Sequence, residues 1–113
     1  MPLHEMFDSL TDAVRDHADE IAERAVALGG FAAGRTQDIA SASTLDQYPA
    51  DLAKGSDHVA AVADRLATVT NAMRDAIDAT EDAGDAVTAD LFTGVTADLD
   101  KQLWFVESHL QKA

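Results

Sequence analysis

The sequence contains no cysteine. That excludes a disulfide framework and any thiolate metal site, and it fits a cytoplasmic protein. No apolar run approaches the roughly 18 to 20 residues that a membrane span needs. The start, Met-Pro-Leu-His-Glu, has neither a basic region nor an apolar region of the kind an export signal carries, so no leader is expected. Prolines number two and aromatic residues make up 5%, while Ala, Leu and Val are abundant, as in a helical protein. No phosphate-cradling glycine loop and no nucleophile arrangement of Ser, Thr or Lys is found, which disfavours hydrolase and nucleotide-dependent chemistry.

Basic residues are also scarce. Eight Lys and Arg stand against 21 Asp and Glu, for a formal net charge of −13. Such a surface repels phosphate backbones and anionic membranes unless its few cations cluster, and here they do not. Small cations suit it better. The plain alternative is that the acids only keep a helical protein in solution. At 113 residues the chain is expected to form one domain. A domain of this size buries only about two-thirds of its unfolded surface, so association would help it.

Three stretches carry helical periodicity. The first runs from Leu3 to Leu28, with Met6, Leu10, Ala13, Val14, Ile21 and Leu28 on one face, and it stops at Gly29-Gly30. The second runs from Ser56, the expected N-cap, to Glu81, with Val59, Val62, Leu66, Val69, Met73 and Ile77 as its apolar positions. The third runs from Asp85, also an expected cap, to Gln111, with Leu91, Val95, Leu99, Leu103, Val106 and Leu110. A structureless connection of about 25 residues between the first two would be unusual, so a short helix is expected inside it. Thr44 to Tyr48, closed by Pro49, is the best candidate. The fold class is all-α.

On a helical wheel with His4 at zero and about 100° per residue, the apolar positions of the first helix centre near about 240°. His4, Asp8, Asp12, Asp19 and Glu23 fall between about 0° and 100°. The helix therefore has two roughly opposite faces, one for its own core and one lined with an imidazole and carboxylates. That ligand mix suits Fe(II), Mn(II) or Zn(II). His4 and Asp8 lie one turn apart, as do Asp19 and Glu23. Between Asp8 and Asp19 lie about 16 Å of helix, whereas metal–ligand bonds are about 2 Å. One helix cannot close all four on one ion. An antiparallel second copy, related by a twofold axis crossing near Arg15, sets His4 and Asp8 of one chain beside Asp19 and Glu23 of the other, giving two identical sites in a homodimer. The competing reading is a solvated acidic face with no metal.

The runs His4-Glu5-Met6-Phe7-Asp8, Asp16-His17-Ala18-Asp19-Glu20-Ile21-Ala22-Glu23-Arg24-Ala25 and Leu28-Gly29-Gly30 resemble the second helix of the Dps proteins, the mini-ferritins called DNA-binding proteins from starved cells. The likeness continues through Tyr48-Pro49 and Asp57-His58 to Asp98-Leu99-Asp100-Lys101-Gln102-Leu103-Trp104-Phe105-Val106-Glu107-Ser108. It implies a ferritin-like helical bundle that dimerises and builds a hollow shell of twelve subunits. It also implies ferroxidase centres at the dimer interface that oxidise Fe(II) with peroxide or oxygen and store ferric mineral. In the matching positions His4 and Asp8 are ligands from one chain, and Asp19 and Glu23 from its partner.

The resemblance begins at Leu3. The family's preceding helix, whose His-Trp-Asn motif completes the site, is therefore expected to be missing, as is the Lys-rich tail that some members use on DNA. Either the reading frame is truncated or the chain is a shortened member. Two functions follow: an iron-oxidising storage protein, or a non-catalytic helical assembly module that binds metal weakly or not at all. DNA binding is disfavoured.

Other residues have plainer readings. His17 falls in the apolar arc and reads as a hydrogen-bonded core or rim residue. His58 and His109 sit near helix ends, where contact with terminal groups or exposure is the default. Trp104 and Phe105 read as core or interface packing. Glu81, Asp82, Asp85 and Asp90 suit the positive end of a helix dipole, and the resemblance implies a lining for iron-admitting pores.

Overall fold

The computed structural model describes residues 2–110, and every regular element among them is an α-helix. In order they are α1 (Leu3–Ala27), α2 (Thr36–Ala42), α3 (Gly55–Asp82) and α4 (Ala86–Glu107). The described residues fall into two compact units, 2–45 with α1 and α2, and 46–110 with α3 and α4. The end of the expected third helix, at Gln111, lies outside the described residues. No helix among the described residues is long and apolar enough to cross a membrane.

In the first unit, α1 starts with the Met6 amide bonded to the Pro2 carbonyl at 3.1 Å. It ends in a Schellman turn: the Gly30 amide bonds to the Ala25 carbonyl at 2.8 Å and the Gly29 amide to the Val26 carbonyl at 2.9 Å. Gly29 has φ +87°, a conformation that costs a side-chain-bearing residue and that glycine adopts freely. Met6 and Leu10 are buried, Ala13 and Ile21 half-buried. Val14 and Leu28, expected on the same apolar face, are 42% and 58% exposed. Val14 stands at the edge of that arc and Leu28 lies one residue past the helix, so neither turns fully inward.

The short helix in the connection forms at Thr36–Ala42, not at Thr44 to Tyr48. Its start is made by two charged side chains. The Arg35 amide donates to Asp38 Oδ2 at 3.1 Å, while the Arg35 guanidinium grips the same carboxylate through Nε at 3.0 Å and a second nitrogen at 3.2 Å. Charge-assisted bonds of this kind satisfy a helix start directly. Tyr48 instead bonds through its hydroxyl to His58 at 2.6 Å, and Pro49 after it disfavours helical backbone.

In the second unit, α3 and α4 pack together. Val59, Ala61, Ala63 and Leu66 of α3 and Ala89, Val95, Leu99 and Val106 of α4 are its buried apolar residues. The expected positions Val62, Val69, Met73, Ile77, Leu91 and Leu103 are half-buried, and Leu110 is exposed. Buried Thr70 and Thr96 do not strand their hydroxyls: each donates to the carbonyl four residues earlier, at 2.7 Å, Thr70 to Leu66 and Thr96 to Phe92. Across the pair, exposed Arg74 meets Asp100 at 2.6 Å.

The turn between α3 and α4 is a second Schellman motif, with the Asp85 amide on the Thr80 carbonyl at 2.9 Å, the Gly84 amide on the Glu81 carbonyl at 3.0 Å, and Gly84 at φ +79°. Asp85 then caps α4 as expected, accepting from the Thr88 amide at 3.1 Å and from the Thr88 hydroxyl. Ser56 does not cap α3. The helix begins one residue earlier, with the Asp57 and His58 amides both on the Lys54 carbonyl at 3.2 Å, so Ser56 already lies within the first turn.

Leu99 is 3% exposed, and Leu99→Ala is expected to lower stability by about 2 to 5 kcal/mol in denaturant unfolding. The hydrogen bonds from Arg35 hold the Asp38 carboxyl below its ordinary value. A lowered carboxyl pKa stabilises the fold above the unfolded pKa and stops doing so as pH falls through the folded one. Support for α2 is therefore complete at neutral pH and is lost in acid below the usual aspartate range. Asp38→Asn at neutral pH should speed exchange of the Ile39 and Ser43 amides, read by NMR.

Candidate metal centre

All the predicted ligands lie on α1. His4, Asp8, Asp19 and Glu23 are exposed, as is Asp12, which is not among them, on a face roughly opposite buried Met6 and Leu10. Because α1 runs unbroken over 25 residues, its geometry keeps the ligands in two half-sites. His4 and Asp8 are one turn apart, Asp19 and Glu23 are one turn apart, and about 16 Å of helix separates the pairs. The structure does not bring the four together within one chain. Among the described residues no three His, Asp or Glu side chains converge in a way that could hold an ion. What one chain offers is two exposed pairs of donor side chains, an imidazole with a carboxylate and a pair of carboxylates.

Elsewhere, the histidines divide by surroundings. His17 is half-buried and has a partner within the chain. His109 Nδ1 lies 3.0 Å from the Phe105 carbonyl, which can only accept, so Nδ1 carries the proton, and its ring meets the Phe105 ring edge-on with centroids 5.5 Å apart. Trp104 is 67% exposed and so is not a core residue; a helix whose core side is taken by Val95, Leu99 and Val106 turns position 104 outward.

One arrangement was not legible in the sequence. His58, at the start of α3, sits between two groups of the preceding segment. Its Nε2 lies 3.1 Å from the Leu52 carbonyl and its Nδ1 2.6 Å from the Tyr48 hydroxyl. The carbonyl can only accept, so Nε2 carries the proton, and in the neutral ring Nδ1 accepts from the Tyr48 hydroxyl. Arg65, one and a half to two turns further along α3, places its guanidinium 5.6 Å from the Tyr48 ring centroid and donates to the Gln47 carbonyl at 2.8 Å. His58 is therefore neither a terminal exposed residue nor a ligand. It is half of a clasp. The signal available was only the pair Tyr48-Pro49 and Asp57-His58, whose spacing does not announce a contact.

A model of the ferritin-like domain matches residues 1–113, so the chain belongs to the ferritin-like family, known for iron storage and ferroxidase activity. Among curated proteins it is 46% identical over 110 residues to the DNA protection during starvation protein of Agrobacterium fabrum, covering 97% of this chain and 68% of that one. It is 35% identical to the protein of the same name from Mycolicibacterium smegmatis, covering 98% of this chain and 60% of that one. The tetragonal form of Mycobacterium smegmatis Dps superposes with a TM-score of 0.90 at 35% identity, over 97% of this chain and 66% of that one. Within the ferritin-like family, then, this is a chain of the Dps type.

The clasp predicts a local effect. His58→Ala removes the hydrogen bonds to Tyr48 and Leu52 while leaving the Arg65 contacts and the buried residues of α3 in place. Proteolysis between residues 47 and 52 should accelerate severalfold, with little change in the far-ultraviolet circular dichroism of the long helices.

Proposed function

We propose that the chain oxidises Fe(II) and sequesters the ferric product at sites formed between two copies of α1. His4 and Asp8 of one chain and Asp19 and Glu23 of its partner hold the iron. The observation that carries this reading is the division of an exposed stripe of candidate ligands into two half-sites on one unbroken helix, in a chain of the Dps type. A twofold axis across the helix makes each half-site the complement of the other, and the homodimer then carries two equal sites. Larger assembly into the family's shell of twelve extends the same reading.

The chemistry needs little machinery. Carboxylates are hard donors that favour Fe(III) over Fe(II), so the ligand set assists loss of an electron, and bridging carboxylates can hold two ions close together. Two Fe(II) ions supply one electron each to hydrogen peroxide. Its O–O bond breaks, and two protons complete two waters. With a net charge of −13, the protein raises the local concentration of the cationic substrate. The same charge argues against free DNA as a partner, whatever the relatives' name. The role that follows is detoxification of iron and peroxide in the cytoplasm.

Asp19→Ala tests the site. After addition of Fe(II) and peroxide, ferric absorbance should rise at least about tenfold more slowly than in the parent, since even partners behind the ligands commonly cost 10- to 100-fold. Equal rates would remove this site from the chemistry and leave the helical assembly module as the reading.

A further inference from the structure

The paired-helix reading fixes more than the metal ligands. The register that sets His4 opposite Glu23, and Asp8 opposite Asp19, puts the twofold axis between Ala13 and Val14. In that register Arg15 stands opposite the partner's Asp12, and by symmetry Asp12 stands opposite the partner's Arg15. Both positions are exposed and fall at about 20° and 80° on the wheel, inside the ligand-bearing arc.

The charges make this pairing consequential. The face carries Glu5, Asp8, Asp12, Asp19 and Glu23, and where it meets a copy of itself Asp8 confronts Asp19, acid on acid. Arg15 is the one Arg or Lys of this face; the other in α1, Arg24, lies at about 200°, in the apolar arc. Resting on the paired-helix reading, we propose that Arg15 and the partner's Asp12 form two symmetric ion pairs flanking the twofold axis. They offset the repulsion between the acidic faces before iron arrives and hold the half-sites in register. Arg15 and Asp12 are thus positioning residues: neither touches the iron, and both decide which ligands face each other.

Mixing two variants tests this, because symmetry separates a pair between chains from a pair within one. In an Arg15→Glu homodimer the introduced glutamate meets the partner's Asp12 twice, acid on acid. In an Asp12→Lys homodimer the introduced lysine meets the partner's Arg15 twice, base on base. A heterodimer of the two sets glutamate against lysine at one contact and aspartate against arginine at the other, so both become attractive. Metal-free chains of distinguishable mass, mixed in equal amounts at low salt, should give heterodimer in roughly tenfold excess over either homodimer by native mass spectrometry. A statistical outcome, with heterodimer making up half of the dimers, overturns the proposal; a pair confined to one chain would give that result. A nitroxide at Glu5 of the otherwise unchanged protein, attached through a cysteine introduced into this cysteine-free chain, checks the underlying reading. Its distance to the partner's label should have an axial component of about 25 Å. That distance with statistical mixing removes the ion pair alone. Its absence removes the antiparallel helix pair and the ion pair together.

Discussion

An unbroken helix holds its side chains at fixed intervals, and a metal ion reaches only about 2 Å. These two facts govern the candidate site more than any single residue does. Over the length of α1 they divide the four candidate ligands into two pairs that cannot meet within one chain. The proposed iron chemistry therefore depends on α1 staying unbroken between the two pairs. Had the helix broken near its middle, the ligands could have folded back on one ion and a monomer would have sufficed.

What keeps the helices to length is backbone hydrogen bonding at their ends. Both α1 and α3 finish in Schellman turns around glycines with positive φ, Gly29 and Gly84. Asp85 serves twice, as the last donor of one turn through its amide and the first acceptor of the next helix through its side chain. The exit from α3 and the entry to α4 are thus one compact device, which lets the two helices pack as neighbours with almost no connecting chain.

Much of this was legible in the sequence because the physics is local. A 3.6-residue period, a glycine just past a helix and an aspartate just before one are each read within a single window, and α1, α3, α4 and the Asp85 cap followed from them. That His4, Asp8, Asp19 and Glu23 share an exposed face of α1 was legible for the same reason, since a wheel needs only one helix. Legibility failed where partners were chosen among competitors. The short helix settled at Thr36–Ala42 because Arg35 found Asp38, whereas Tyr48 was spent on His58. Trp104 turned outward because smaller residues filled the buried side of α4. The choice of a chain-distant partner, as with Tyr48 and Arg65, leaves no periodic trace.

The clasp around His58 bears on how the molecule comes together. Its hydrogen-bonded partners, Tyr48 and Leu52, lie 10 and 6 residues away along the chain, and closing so short a loop costs little entropy. The segment preceding α3 can therefore lock as soon as the first turns of that helix exist, ahead of any contact from elsewhere in the sequence. A stretch that looks like a slack tether is held by short-range bonds to the helix it precedes. Slack is left upstream, in the exposed run from Phe31 to Gly34, where added or deleted residues would be felt least.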